Sequence, residues 1–143
     1  MEIWINVLIK SLLAVVIGGL IGTERAKHGR AAGMRTHVLV CLGSTLTSMT
    51  GLYVSDVLGN TGDITRMAAQ VISGVGFLGA GMIILKSNNV ITGLTTAAGV
   101  WTTASIGIAV GFGFYPGAII VTTLFMGTII LFAKLEKKKN LQK

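Results

Sequence analysis

Carboxylates and histidines are the side chains of this sequence best suited to bind a metal ion or to move a proton. Asp56 and Asp63 lie seven positions apart between two apolar segments. They could hold a hydrated cation weakly, since Mg²⁺ prefers oxygen ligands and retains several waters. The alternative is a solvated loop in which Asp63 caps the next helix. His28 and His37 flank the start of the second helix; two histidines alone are a weak metal signal, and we expect them at a membrane interface.

No constellation for catalysis is found. The five acidic residues all fall at or beyond the ends of the apolar segments, whereas ion-coupled transporters usually keep an ionisable group within the bilayer. Lys10 is the one candidate there, and its long stem would let the ammonium reach the interface. Nucleophile–base sets, phosphate-binding loops and paired carboxylates are missing from the sequence. We therefore predict a non-enzymatic protein with no catalytic residue, no cofactor and no metal beyond the weak candidates Asp56 and Asp63.

Polar residues that resist this plain interpretation fall into two groups. Arg66, Gln70 and Ser73 follow one another at helical spacing, which suits hydrogen bonds between helices or a polar path into the protein. Glu24 and Arg35 bracket a basic loop and could pair where the dielectric constant is lower than in bulk water. The segment 93–99 predicts a turn followed by a Thr-capped helix, which would bring more hydroxyl groups to the Glu24 end.

The composition predicts the environment that must position these residues. The chain has 143 residues, of which 52% are hydrophobic and only 12% are charged, about half the charged fraction of soluble domains. Charge-free stretches approach the roughly 20 residues that span a bilayer. The net charge is +7, and most of the basic residues flank apolar segments. This placement indicates membrane orientation rather than nucleic-acid binding. Cys41, the single cysteine, falls in an apolar segment and is expected to act as a small hydrophobe.

The apolar pattern predicts an all-α, polytopic protein with five transmembrane helices. They are expected at about 3–21, 36–55, 67–85, 95–112 and 116–133, forming one domain over 1–133 with a basic cytoplasmic tail at 134–143. The last two helices are separated by a Gly- and Pro-rich turn at 111–117. An N-terminus outside and a C-terminus inside place ten of the twelve Lys and Arg residues in the cytoplasm.

Small residues recur at helical spacing and predict close helix packing. Gly18 and Gly22 do so in the first helix, and 99, 103, 107 and 111 in the fourth. The third helix is the richest, with packing glycines expected at Gly74, Gly76, Gly79 and Gly81. Such faces let helix backbones approach closely. They could pack within one protomer or leave a face for a partner, and five short helices with little interior favour a homodimer.

Several linked motifs resemble the membrane domain of the MgtC/SapB family over about Ile3 to Ala133. The motifs are Gly-Leu-Ile-Gly-Thr-Glu-Arg (19–25), Ala-Gly-Met-Arg-Thr-His-Val-Leu-Val (32–40), Asp-Ile-Thr-Arg-Met-Ala-Ala-Gln-Val (63–71), Ser-Gly-Val-Gly-Phe-Leu-Gly-Ala-Gly (73–81) and Gly-Leu-Thr-Thr-Ala-Ala (93–98) with Trp101. The resemblance implies a five-helix protein of the bacterial plasma membrane. By motif, the functionally sensitive positions would be Glu24, Arg25, Arg35, Thr36, Asp63, Arg66, Gln70, Thr95 and Thr96.

The same resemblance implies a role in adaptation to low magnesium and in virulence. It suggests a regulator of other membrane proteins, with the membrane sector of the proton-translocating ATP synthase as a possible partner. The alternatives are a magnesium or other cation channel or transporter, and a scaffold that binds anionic lipid through the basic tail. Many family members add a soluble C-terminal domain, so this chain is expected to be a shorter SapB-like member or a truncated one.

Overall fold

The structure, a computed structural model, describes residues 2–56, 59, 62–85 and 90–140. Over these residues it contains five α-helices and one short antiparallel hairpin. The elements are α1 (Glu2–Lys27), α2 (Met34–Asp56), α3 (Arg66–Met82), β1 (Ile84–Leu85), β2 (Ile91–Thr92), α4 (Leu94–Phe112) and α5 (Tyr115–Asn140). In the hairpin, Ile84 pairs with Thr92 and Leu85 with Ile91.

Four of the helices are long and apolar enough to cross a membrane: α1, α2, α4 and the Tyr115–Leu135 part of α5. The all-α class and the multi-pass membrane character predicted from the sequence are therefore confirmed. The third predicted span is α3, which has 17 residues. At 1.5 Å per residue this helix is about 25 Å long, somewhat less than the roughly 30 Å hydrocarbon layer.

Three helices end at residues other than those predicted from the sequence. The helix α1 continues to Lys27, and α5 continues to Asn140, so that residues 134–140 of the predicted tail are helical. By contrast α3 ends at Met82, because Ile83 is extended and the next two residues enter the hairpin. A run of β-branched and apolar residues suits a strand as well as a helix. Lys86 lies outside the described residues.

The turn between α4 and α5 is where the Gly- and Pro-rich segment predicted it. Gly113 adopts a left-handed φ of 81°, which an L side chain rarely tolerates. Its N–H donates to the carbonyl of Val110 (3.0 Å), and the N–H of Phe114 donates to that of Ala109 (2.8 Å). This pair of bonds is the Schellman arrangement, which satisfies carbonyls that a helix end otherwise leaves unpaired.

The start of α4 differs from the Thr-capped helix that the sequence predicts. The N-cap is Gly93, with a φ of 95° and no side-chain capping bond, so the Thr cap is wrong. Thr95 and Thr96 lie inside the first turn instead, the former exposed and the latter buried. A left-handed glycine after the hairpin reverses the chain without needing a hydroxyl acceptor.

The centre of the fold is the contact between α2 and α4, with α1 packed on α2 and α3 packed on α4. At Gly22 of α1, an added Cβ would lie 2.5 Å from the Met34 Cα, and at Gly111 of α4 it would lie 2.6 Å from the Thr45 carbonyl oxygen. Only glycine permits these approaches. The buried core includes Ile21, Cys41, Ile106 and Val110, which confirms Cys41 as a small core residue. In contrast, α5 lies at the edge and is largely exposed.

Candidate functional site

A buried polar cluster forms where the end of α1, the start of α2 and the middle of α4 meet. We define it as Glu24, Arg25, His37 and Thr103. Arg25 and Glu24 are 2% and 8% exposed, and His37 and Thr103 are fully buried. The glycines of α1 permit the cluster, since Gly18 and Gly22 let α2 approach closely enough to enclose it.

The acidic end of this cluster is a loose ion pair with a histidine at its rim. Glu24 Oε2 lies 4.0 Å from Arg25 Nη1. Glu24 Oε1 lies 3.0 Å from Nδ1 of His28, whose side chain is 53% exposed. The same Nδ1 also lies 3.0 Å from the Glu24 carbonyl oxygen, so an N–H there is shared between two acceptors. Glu24 is thus held between a buried guanidinium and a histidine open to solvent.

The other end is a hydrogen-bond chain that joins His37, Thr103 and Gly99. The Thr103 hydroxyl donates to the Gly99 carbonyl at 2.8 Å, as side chains of Ser and Thr often do one turn back. A hydroxyl has one proton, so Thr103 Oγ1 must accept from His37 Nδ1, which lies 2.8 Å away. His37 Nδ1 is thus hydrogen-bonded to Thr103, and the Ala32 backbone lies beside the same ring. Arg25 is the cation that acts electrostatically on this ring.

Polar atoms without a partner concentrate in this cluster. Among the described residues, the buried side-chain atoms that make no hydrogen bond are Glu24 Oε2, Arg25 Nε, Arg25 Nη2 and His37 Nε2. A carboxylate oxygen, two guanidinium nitrogens and a ring nitrogen in one buried region could bind ordered water or a small polar ion. The described residues include no group of three or more His, Cys, Asp or Glu side chains able to hold a metal ion.

Three interpretations of single residues from the sequence are wrong. Glu24 does not pair with Arg35, which is exposed while Glu24 contacts Arg25 and His28. His37 is not interfacial, because it is fully enclosed. Glu24 lies within α1 and is buried, whereas the sequence predicts no buried acidic residue. Hydropathy along a sequence reports average polarity and not the direction in which one side chain points.

Lys10 also departs from its expected behaviour. Its side chain turns inward and is 8% exposed, with Nζ donating to the carbonyl oxygen of Gly111 at 2.9 Å. An ammonium at the C-terminal end of a helix is favoured by the carbonyls and the helix dipole there. This contact accounts for a nearly buried lysine on α1.

The two aspartates proposed as a weak cation site line different cavities. Asp56 lines a cavity between α1 and α2, whereas Asp63 lines another one beside α3. Asp63 Oδ1 accepts from the backbone N–H of Thr65 (2.8 Å) and from its hydroxyl (2.6 Å). These bonds lower the pKa of Asp63 below its ordinary value of 3.8. The N-cap of α3 is Thr65 and not Asp63, which instead braces the loop before it.

The polar stripe of Arg66, Gln70 and Ser73 lies on the exposed side of α3 and makes no side-chain hydrogen bond within the described residues. The glycines of α3 that the sequence predicts to pack fall into two groups. Gly79 is buried, and its added Cβ would lie 3.6 Å from the Ala97 Cβ, as expected for packing. Around Gly74, Gly76 and Gly81 no atom of the described residues lies within 4 Å of such a Cβ. These three glycines therefore do not pack against another helix within the part of the chain that the structure describes.

His37 and Thr103 were not recognised as a pair from the sequence. The available signal was Thr103 within the four-residue repeat of small residues on α4, where a hydroxyl among glycines can face a neighbouring helix. The predicted site residues Thr36 and Thr96 lie in the same half of the molecule, partly buried and buried respectively, while Arg35 and Thr95 are exposed.

Comparison with known proteins shows which family the chain belongs to. A model of the MgtC family matches residues 12–138. The chain belongs to the MgtC family. This MgtC-family chain is 42% identical over 132 residues to YhiD of Escherichia coli (strain K12), named "Putative magnesium transporter YhiD", with 90% of this chain and 61% of YhiD covered.

Two further relatives support the same assignment. Protein SapB of Bacillus subtilis (strain 168) is 41% identical over 117 residues, covering 79% of this MgtC-family chain and 50% of SapB. Protein MgtC of Salmonella typhimurium (strain LT2) is 38% identical over 130 residues, covering 90% and 53%. The chain thus spans between half and about three fifths of the length of these relatives. No solved structure matches it.

Proposed function

We propose that this MgtC-family chain is a non-enzymatic regulator that acts on partner membrane proteins through helix contacts. The observation that carries the proposal is the exposed α3 face, which we define as Gln70, Ser73, Gly74, Phe77 and Gly81. These residues recur at helical spacing, opposite the buried side of α3 formed by Ala68, Val75 and Gly79. All five are exposed, and Phe77 is 86% exposed.

This face is suited to protein rather than to lipid. Lipid tails are satisfied by large aliphatic side chains, and α5 shows such a surface with Ile119, Ile120 and Leu124. The exposed α3 face instead combines two glycines with a serine and a glutamine. Small residues allow close backbone approach, and the polar groups can hydrogen-bond across helices. Phe77 would insert beside the glycines of the face as the large contact residue.

The occupant that the family resemblance implies is the membrane sector of the proton-translocating ATP synthase. Tagged chain purified from native membranes should capture that complex, and Gly74→Leu should abolish the capture. Gly127→Leu is the matched control, because Gly127 is also exposed on a helix with open space around it, but on α5. Equal loss in both variants, or no ATP synthase subunit with the wild type, would remove this version of the proposal.

The homodimer expected from the sequence would use the same kind of surface. The one cysteine of the chain, Cys41, is buried. Phe77→Cys therefore introduces the one accessible thiol, and the native Cys41 need not be replaced. Oxidation in native membranes should yield a disulfide-linked dimer if two copies meet at the exposed α3 face. Leu124→Cys on α5 is the control, and cross-linking only there would move the dimer contact away from α3.

We further propose the arrangement of the chain in the membrane. It has five spans with α3 as the third, an extracellular N-terminus and a cytoplasmic C-terminus, in the bacterial plasma membrane. The basic loop before α2 and the basic end of α5 support this orientation. A role in magnesium limitation and virulence follows from the family resemblance. Thiol labelling of Gly29→Cys and Gly59→Cys in intact cells should mark only the second, and the reverse result would invert the topology.

A second candidate is transport of Mg²⁺ or another cation. The buried Glu24, with one carboxylate oxygen that makes no hydrogen bond, favours it, as does the name of the relative YhiD. Liposomes containing the purified chain should then show Mg²⁺ flux that Glu24→Gln abolishes and Asp63→Asn leaves intact. Absence of flux from well-folded wild-type protein would eliminate this candidate and leave the regulator.

A further inference from the structure

A cavity of about 510 Å³ lies between the first half of α1 and the second half of α2, apart from the buried polar cluster and from the exposed α3 face. Its volume is within the range of small-molecule sites. Glu2, Asn6 and Lys10 of α1 line it at intervals of one helical turn, so they stand on one side of the helix. Tyr53 and Asp56 line it from α2.

Lys10 at the base of the cavity has unused donor capacity. Its ammonium has three donors, and the structure accounts for one of them, in the bond to Gly111 O. No carboxylate lies within ion-pair distance of Nζ in the part of the chain that the structure describes. The C-terminal end of α4 offsets part of the charge. A nearly buried cation at this depth is nevertheless costly without a counter-ion, and the cavity has room for an anion.

Charge is ordered along the depth of the cavity. Glu2 and Asp56 belong to the ends of their helices and stand at the mouth, exposed. Asn6 lies midway and Lys10 lies two turns in, about 12 Å along the helix axis from Glu2. Apolar residues, Val7 and Leu46 among them, complete the wall. The sequence from mouth to base is thus anionic, neutral polar and cationic.

This order is complementary to one class of membrane molecule. A zwitterionic phospholipid carries its ammonium outermost, its phosphate beneath, and its hydrocarbon deepest. We propose that the cavity binds the headgroup of a primary-amine phospholipid such as phosphatidylethanolamine. Lys10 Nζ donates to a phosphate oxygen, Glu2 and Asp56 accept from the lipid ammonium, and the apolar wall contacts the first part of the acyl chains.

The same chemistry sets a selectivity. The quaternary ammonium of phosphatidylcholine has no N–H to donate, so it forfeits charge-assisted hydrogen bonds to the two carboxylates. Phosphatidylglycerol has no cation, and its headgroup would leave both carboxylates unpaired beside a phosphate. Tyr53 contributes a hydroxyl and an aromatic surface to the same site but does not by itself distinguish these lipids.

Native mass spectrometry of the full chain tests the proposal. Protein is equilibrated with vesicles of equal parts phosphatidylethanolamine, phosphatidylcholine and phosphatidylglycerol, and retained lipid is counted. We expect phosphatidylethanolamine to be enriched about tenfold, the scale of one charge-assisted hydrogen bond. Glu2→Gln with Asp56→Asn should erase the enrichment, and Lys10→Met should lower retention of all three lipids. Asp63→Asn, at the other cavity, is the control and should behave as wild type.

The rim variants keep the test decisive even where Lys10→Met fails to fold, since Glu2 and Asp56 are exposed. Equal retention of the three lipids by wild-type protein would overturn the proposal, as would unchanged enrichment in the rim double variant. Glycerophosphoethanolamine, which has the headgroup without acyl chains, separates the two sources of this chemistry. Displacement of the lipid by equimolar glycerophosphoethanolamine would assign the cavity to a soluble ligand and overturn the lipid assignment.

Discussion

Two helices of this protein carry faces of small residues, and the neighbours of the two faces differ. On α4, Gly107 and Gly111 press against the backbone and the serines of α2 with no space for a Cβ. On α3, Gly74 and Gly81 have open space around them. Glycines at helical spacing thus pack against a neighbouring helix of the same chain on α4, whereas on α3 they remain exposed. A small-residue face indicates that a close contact is possible and does not say whose helix makes it.

The largest expected effect breaks the packed face. In Gly107→Ala, the new methyl would meet the carbonyl of Cys41 and the Cβ of Ser44. Because backbone cannot move aside cheaply, we expect a loss of about 1–3 kcal/mol in the free energy of unfolding. Gly74→Ala, on the open face, should be neutral or stabilising by up to about 1 kcal/mol, since alanine is the better helix former. Unfolding in detergent micelles measures both, and equal destabilisation would contradict the distinction.

What the sequence could predict follows from the same distinction. The number of helices, the turn at Gly113 and the close faces around Gly22 and Gly111 depend on patterns along the chain, and they were predicted. The rotation of each helix about its axis depends on the neighbours it finds. Hydropathy therefore did not reveal that His37 and Glu24 point inward, nor that Gly74 faces away from every other helix of the protomer.

A second effect concerns the polar residues of the two faces. Thr103 on α4 accepts from a buried histidine, whereas Gln70 on α3 is exposed and makes no hydrogen bond within the described residues. Thr103→Val leaves His37 Nδ1 unpaired and should cost about 1 kcal/mol of stability. Gln70→Leu should change it by less than about 0.5 kcal/mol.

The adjacent hydroxyl supplies the control for this comparison. Thr102 also donates to a carbonyl one turn back, at Ala98, and has no partner on another helix among the described residues. Thr102→Val should therefore resemble Gln70→Leu in the thermal unfolding of purified protein. A cost for Thr102→Val as large as that for Thr103→Val would show that loss of any hydroxyl, rather than of the histidine contact, destabilises the helix.

A smaller change in stability sharpens the role of the open face. Phe77→Ala removes a side chain that contacts little of its own protomer, so the midpoint of thermal unfolding should stay nearly constant. Phe125→Ala is the comparison. The Phe125 ring lies 3.4 Å from the position that a Cβ on Gly99 would occupy, so its removal should lower the midpoint of unfolding. Capture of partner proteins should show the opposite order, with Phe77→Ala the more damaging.

The smallest expected effect lies in the loop that leads into α3 and depends on pH. Asp63 is fully exposed, and its pKa is lowered by the hydrogen bonds from Thr65, with the nearby Arg66 adding to the shift. A carboxyl with a depressed pKa in the folded state stabilises the loop above its ordinary value of 3.8, and that contribution disappears as the pH falls through the folded pKa. Amide hydrogen exchange at Thr65 should therefore accelerate, relative to Gly107 on the packed α4 face, only in strongly acidic solution.

Asp63→Asn keeps an acceptor oxygen but removes the charge, so the acid-dependent change at Thr65 should vanish. Retention of that change in Asp63→Asn would assign the acid dependence at Thr65 to another titratable group and contradict the role given to Asp63.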